Sequence, residues 1–242
     1  MKVKLIAVIL SIIFLMGVGG CMSNNSSNNN VENDVSIKDL MMEHMREKYN
    51  EEFVFENINT EVWTAPYTEM ILSSEKFPDH SIVVYRYKDS GEIVDNYMDF
   101  YMKERIEKEI SQIVADIYPQ SKVFYRPGGR PVSNDVTPDI SIAEYSIIRL
   151  PGLPLTICIE DPDHEVNKDE KIEELRKVLE EKKYMCNLDV FYVKKGKLDL
   201  VNDTNASEVL TGPSNAQTVL VRGDFGMNYS FEFDYYKWRY IE

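Results

Sequence analysis

Asp95-Asn96-Tyr97-Met98-Asp99-Phe100-Tyr101-Met102-Lys103-Glu104-Arg105-Ile106-Glu107-Lys108-Glu109-Ile110-Ser111-Gln112-Ile113-Val114-Ala115-Asp116-Ile117-Tyr118-Pro119 is the stretch that sets the fold class. Met98, Tyr101, Met102, Ile106, Ile110, Ile113, Val114 and Ile117 recur at three- and four-residue spacing, as one face of a long helix over 95–118 requires. Pro119 stops it. A stripe of this kind reads as core, and core needs a partner surface. The flanks supply it: 81–87 before, through the turn at Asp89-Ser90-Gly91, and 122–126 after, both with the composition of strands.

Working outward toward the N-terminus, Ser36 with Asp39 in the first turn caps a helix whose Ile37, Leu40, Met41, Met45 and Tyr49 share a face. Strands follow at 53–55 and around 62–72, where Pro66 points to an edge or a broken strand. Toward the C-terminus, 126–138 concentrates turn formers and lacks periodicity, which marks an internal boundary. Residues 140–150 are apolar but ambiguous. Pro151-Gly152-Leu153-Pro154 introduces a strand over 155–160, and Asn167 with Glu170 caps a helix carrying Ile172, Leu175, Val178 and Leu179. A strand over 187–193 turns through Lys194-Lys195-Gly196 toward Leu198-Asp199-Leu200. A terminal hairpin is expected from 217–221 and 227–236. The fold class is therefore α+β: two α/β halves, 36–130 and 131–242, with mostly antiparallel or mixed sheets and helices packed on one face.

Before residue 36 the chain has another character. Lys2 and Lys4 precede an apolar run, Leu5 through Val18, and small residues follow, which is the layout of a secretory signal peptide over 1–20. Val18-Gly19-Gly20-Cys21 resembles the lipobox of bacterial lipoproteins. That resemblance implies an acylated Cys21 as the mature N-terminus, anchored in the cell membrane with the rest of the chain on the extracytoplasmic face. Two acyl chains hold a protein stably at a bilayer. An uncleaved N-terminal helix is the competing reading, but the run is at the short limit for a span and carries Gly17, Gly19 and Gly20. Residues 21–35, with Ser23 to Asn30 all Ser or Asn, form a polar spacer that cannot build a core.

The chain has 41 acidic and 27 basic residues, a formal charge of −14. Loss of residues 1–20 deepens this to −16. A surface so acidic is repelled by nucleic acid, which is excluded as a partner class, and by anionic headgroups. Beyond Cys21 only Cys158 and Cys186 remain. Cys158 lies opposite the apolar face of 155, 157 and 159, whereas Cys186 shares the face of Leu188 and Val190. In one sheet the two sulfurs would point to opposite sides, so free cysteines are expected.

Four stretches are candidate sites. Glu160-Asp161-Pro162-Asp163-His164-Glu165 offers Asp161, Asp163 and Glu165 as oxygen ligands for calcium, without the regular spacing or glycine of a calcium loop; a charge run facing water is the plainer reading. Tyr235, Tyr236, Trp238 and Tyr240, interleaved with Lys237 and Arg239, would stack on a sugar or peptide, or simply finish a sheet edge. Arg222-Gly223-Asp224 falls at the expected hairpin tip and reads equally as an adhesion tripeptide or an ordinary turn. Asp79-His80-Ser81 brings an acid, an imidazole and a hydroxyl together, although triads are made by geometry rather than by neighbours in sequence. No Gly-x-Ser-x-Gly, His-Glu-x-x-His, Cys-x-x-Cys or phosphate-loop pattern occurs. No catalytic residue and no cofactor is assigned.

Glu47-Lys48-Tyr49-Asn50-Glu51-Glu52-Phe53 resembles the helix-end segment Lys-Tyr-Gly-Glu-Glu-Phe of uncharacterised Gram-positive-type bacterial lipoproteins and surface proteins. Asp95-Asn96-Tyr97 is similar to the same group. Asn50 stands where Gly is usual, and Asn tolerates the left-handed conformation that ends a helix. The resemblance covers about 36–126 and implies no activity. The function expected is a non-catalytic binding or interaction module for a protein, peptide or cell-wall ligand. The alternative is a secreted hydrolase, which requires a cleft where acids converge on His80 or His164. A receptor closing two lobes over a small ligand needs a longer chain.

Overall fold

The computed structural model describes residues 36–60 and 64–241, so the signal segment, Cys21 and the spacer lie outside it. Ser36 caps α1 (Ile37–Tyr49), its hydroxyl accepting the Asp39 N–H at 3.1 Å. Met41, Met45 and Tyr49 are buried, but Ile37 and Leu40, expected on the same face, stay exposed. Only the later turns of α1 reach the core. Asn50 takes φ 51° and ψ 41°, the left-handed stop its side chain permits.

The chain then enters an antiparallel meander of β1 (Val54–Asn59), β2 (Tyr67–Ser73), β3 (Ile82–Tyr87) and β4 (Ile93–Asp95), in that spatial order. Of the two alternatives Pro66 offered, the edge is corrected, since β2 is an interior strand, while the strand does start only at Tyr67, just past the proline. The proline stands just before Tyr67, and its carbonyl accepts the Lys88 N–H at 2.9 Å, so its missing donor costs the ladder nothing.

The continuous helix expected over 95–118 is also corrected. Asp95 belongs to β4, paired with Val84. Two separate segments follow, α2 (Tyr97–Tyr101) and α3 (Lys103–Ile117). Lys48 and Tyr49 hold the Asp95 carboxylate beside β4, and the same carboxylate accepts the Tyr97 N–H at 2.9 Å, so the helix starts two residues late. The stripe survives the break at Met102, and Met98, Met102, Ile106, Ile110, Ile113, Val114 and Ile117 are all buried.

The second sheet has the order β5 (Ser121–Tyr125), β6 (Leu153–Ile159), β7 (Cys186–Val193), β8 (Val219–Met227) and β9 (Phe233–Tyr240). Strands β6 and β7 are parallel and joined by α5 (His164–Glu181); the other pairs are antiparallel. Strand β6 is covered on both faces, and Leu155 through Ile159 are all buried, Thr156 included. Strand β5, grouped by sequence with the N-terminal half, pairs with β6, so the change of sheet falls between β4 and β5. One buried cluster runs from Met41 to Met227, and the described residues form one compact unit. On the opposite face of the second sheet, Phe124, Cys158, Phe191 and Val193 pack with Val201, Leu210 and Val219 beneath α6 (Ala206–Thr211). The protein is α+β.

Several local expectations are revised. The ambiguous 140–150 segment contains α4 (Ile142–Ile148), opened by a capping box between Ser141 and Glu144. Helix α5 begins at His164 behind Asp163, three residues before Asn167, because Pro162 and Asp163 already turn the chain into the first helical turn. Leu198-Asp199-Leu200 forms a 3-10 turn. In the terminal hairpin, the bend lies at 228–232, where Asn228 Oδ1 accepts the N–H groups of Ser230 (2.8 Å) and Glu232 (3.0 Å). The alternation of Tyr229 and Phe231 imitates a strand that this bend interrupts. Arg222-Gly223-Asp224 consequently sits mid-strand in β8, away from any tip.

Two buried carboxylates tie the helices to the sheets. Asp99 accepts Arg149 Nε (2.6 Å) and Nη2 (2.8 Å) and the hydroxyls of Tyr145 (2.6 Å) and Tyr125 (3.2 Å). Asp95 accepts Lys48 Nζ (2.8 Å) and the Tyr49 hydroxyl (2.6 Å). Both aspartates are fully buried.

Candidate functional site

A parallel strand pair with a helical crossover leaves a crevice beyond the carboxyl ends of its strands, where loops rather than ladders supply the lining. Here the crevice is a cavity of about 620 Å3 past Ile159 of β6 and Val193 of β7. Ile159, Val193, Leu220, Pro119 and Pro162 give apolar walls, and Glu160, Asp161, His164, Lys171 and Lys195 supply charge or hydrogen bonds.

The loop that opens α5 sets the electrostatics. Asp161 binds the Lys171 ammonium, about two turns into α5, at 2.6 Å, and its second oxygen accepts the Asp163 N–H at 2.9 Å. Burial pushes the Asp161 carboxyl up, but Lys171 and that N–H outweigh it and hold the group below the ordinary carboxylate range. Glu160 Oε2 accepts the Gly196 N–H at 2.9 Å, tying the two loops at the cavity mouth. Gly196 at φ 72° gives the second loop its left-handed turn.

His164 is buried, with Nδ1 3.0 Å from the Asp161 carbonyl and Nε2 3.1 Å from Glu165 Oε1. Its ring stacks on Tyr192 at 5.2 Å. Tyr118 lines the cavity, and Lys171 Nζ lies 5.4 Å from its ring centroid. The Tyr118 and Tyr192 hydroxyls are buried without a partner in good hydrogen-bonding geometry. Burial pushes both phenols up, Tyr192 to about 12, so both remain protonated.

The structure brings two of the sequence candidates together. Tyr236, Trp238 and Tyr240 alternate along β9 and so share one face of the sheet. Trp238 Nε1–H donates to Asp169 at 2.8 Å, and the Tyr240 hydroxyl donates to Glu165 at 2.8 Å. The Tyr240 bond is the main reason the Glu165 carboxyl lies below its ordinary range. Tyr236 stacks on Phe225 at 5.5 Å and 13° and remains exposed, as does Tyr240. Tyr235 stands opposite Gly226 in the register. The strand therefore clamps the first turns of α5.

The three acids proposed as calcium ligands diverge: Asp161 turns to Lys171, Glu165 to Tyr240, and Asp163 occupies the N-cap of α5. Among the described residues, no group of three or more His, Cys, Asp and Glu is placed to hold a metal ion. Asp79, His80 and Ser81 are all exposed, and the His80 ring stacks on Phe100 at 4.3 Å. Arg222 bonds Asp189 of β7 (3.1 Å) across the strands and Asp224 (2.7 Å) along its own strand. Cys158 and Cys186 are free, buried and on opposite faces, since Cys186 pairs with Leu153 and Cys158 with Phe191. Sequence reasoning missed Tyr118, Lys171, Lys195 and Leu220. The signal was present in two apolar strands flanking one helix, which places their carboxyl ends side by side.

No helix of the described residues is long and apolar enough to cross a membrane. No protein-family model matches the chain, and no curated protein matches it. Among solved structures, the chain is similar to a DUF5037 family protein from Ruminococcus gnavus ATCC 29149, at 13% identity and a TM-score of 0.40, over 81% of this chain and 93% of that one.

Proposed function

We propose that the chain is a lipoprotein held at the extracytoplasmic face of the cell membrane through acylated Cys21, and that its folded unit is a binding module rather than a catalyst. Lys2, Lys4, the apolar run to Val18 and the small residues before Cys21 support the anchor. The observation that carries the binding reading is the composition of the cavity beyond β6 and β7. Its described lining holds no Ser, Thr or Cys, so no alcohol or thiol nucleophile faces it. Both nitrogens of His164 are engaged within the protein, Nδ1 with the Asp161 carbonyl and Nε2 with Glu165. Asp161 is neutralised by Lys171. These features suit a site that holds a molecule and leaves it unchanged.

The anchor is tested by feeding cells an acyl label and fractionating them. The wild-type chain should carry the label and sediment with membranes, and Cys21→Ser should lose the label and appear in the medium. An unlabelled wild-type chain recovered from the cytosol ends the lipoprotein reading. Turnover of chromogenic ester, glycoside or peptide substrates that disappears with His164→Gln would overturn the binding reading in favour of a hydrolase.

A further inference from the structure

Four charged side chains line the cavity, the carboxylates of Glu160 and Asp161 and the ammonium groups of Lys171 and Lys195, so its formal charge is balanced. Two of them are already joined: Asp161 and Lys171 pair at 2.6 Å with side chains 12% and 27% exposed. That arrangement discriminates by charge. A lone cation would take Asp161 and strand Lys171, a lone anion would do the reverse, and the ion left behind in this partly desolvated site loses a charge-assisted contact. A molecule carrying both charges exchanges them together, with Lys171 turning to its carboxylate and Asp161 to its ammonium. The remaining wall, formed by Ile159, Val193, Leu220, Pro119 and Pro162, accepts a hydrocarbon group. The volume of about 620 Å3 lies within the range of small-molecule sites.

We infer that this cavity binds a zwitterion with an apolar side chain, a free amino acid, at the carboxyl ends of β6 and β7. The inference rests on the binding reading above and gives that site its ligand class.

The test is calorimetric titration of the full mature chain carrying Cys21→Ser. The probes are a panel of apolar L- and D-amino acids, together with leucine amide, 4-methylpentanoate and 4-methylpentanamide, which present the cation, the anion and the neutral body alone. At least one amino acid should bind saturably, and the three single-feature analogues should bind about tenfold or more weakly, the loss expected when a charge-assisted contact is removed. Lys171→Met and Asp161→Asn should each weaken the amino acid by a similar factor, while Tyr229→Ala, at an exposed position on the 228–232 bend, should leave it unchanged. The inference is overturned if no apolar amino acid binds, if an analogue with one charge or none binds as tightly, or if the Lys171 and Asp161 variants retain full affinity. Should those variants fail to fold by near-ultraviolet circular dichroism, the analogue series on the otherwise native chain decides alone. A neutral sugar that binds where amino acids do not would sink this ligand class and leave the binding reading standing. The acyl-label experiment is independent of either result.

Discussion

Replacing Asp99 tests what joins the helices to the second sheet. Its carboxylate is fully buried and accepts four hydrogen bonds, two from Arg149 in a bidentate grip and one each from Tyr145 and Tyr125. Asp99→Asn keeps the shape and one acceptor oxygen but removes the charge, and its amide nitrogen is turned toward donors. Arg149 then becomes a buried cation without a counterion. Breaking a buried pair in this way costs about 3–5 kcal/mol. Because Asn still accepts at one oxygen, the lower end of that range is expected. Against a typical total of about 5–15 kcal/mol, this is a large fraction. For a chain of this size it corresponds to a fall in Tm of about 6–12 °C. Urea unfolding followed by far-ultraviolet circular dichroism measures it. Asp99→Leu combined with Arg149→Met removes both charges, so the pair should be no less stable than Asp99→Leu alone, with a coupling energy of about 0.5–3 kcal/mol. A cost for Asp99→Asn below about 1 kcal/mol, or additive effects in the double variant, would refute the assignment of Asp99 as an ion-pair hub.

Three further outcomes follow from the packing. In the Cys21→Ser chain, Cys158 and Cys186 should resist Ellman's reagent at pH 8 and both react in guanidinium, because burial pushes the Cys158 thiol up to about 12 and Cys186 higher still; prompt native labelling of either would contradict the packing. Burial, followed by the nearby Lys48, lowers the His44 pKa from its ordinary value near 6.5, so on acidification the unfolded chain takes up a proton that the folded chain resists. Stability should therefore fall as pH drops through about 6.5, and His44→Gln should flatten that part of a Tm-versus-pH curve. Gly223→Ala should cost about 1–3 kcal/mol by urea unfolding, since a Cβ there collides with the rings of Trp238 and Phe225; an unchanged midpoint would mean that the indole does not lie over β8.

What was legible in the sequence was local or periodic. Ser36 and Asp39 form one capping unit, Asn50 carries its left-handed stop in its own side chain, and the parity of Cys158 and Cys186 follows from counting along two strands. The stripe held its phase from α2 into α3 because Met102 between them keeps helical dihedrals and helical bonds on both sides, its N–H to the Met98 carbonyl at 3.0 Å and its carbonyl to the Ile106 N–H at 2.9 Å. What was not legible depended on groups far apart in the chain. Nothing in 95–118 shows that Asp95 will be drawn into β4, because the partners that hold it there, Lys48 and Tyr49, lie 47 and 46 residues away. Asn167 and Glu170 spell a good cap, but Pro162 and Asp163 had already started α5, and the earlier signal won.

The two stretches that drew attention as separate candidates, the acidic loop and the aromatic tail, are parts of one construction. Sequence places them about 70 residues apart and suggests a metal for one and a sugar for the other. In the fold, Glu165 and Asp169 receive the Tyr240 hydroxyl and the Trp238 indole, so one acid read as a ligand, Glu165, and one outside that loop, Asp169, serve as acceptors for rings read as a binding surface. Their mutual satisfaction fixes the start of α5 against β9 and thereby holds Asp161 and Lys171 at the cavity. On this view the aromatic strand acts on the site through position. Trp238→Phe, which keeps a ring but loses the indole donor, should loosen α5 and weaken any ligand of the cavity without touching it. Hydrogen exchange of the first α5 turns reads this directly: faster exchange in Trp238→Phe is expected, and unchanged protection would separate the strand from the site.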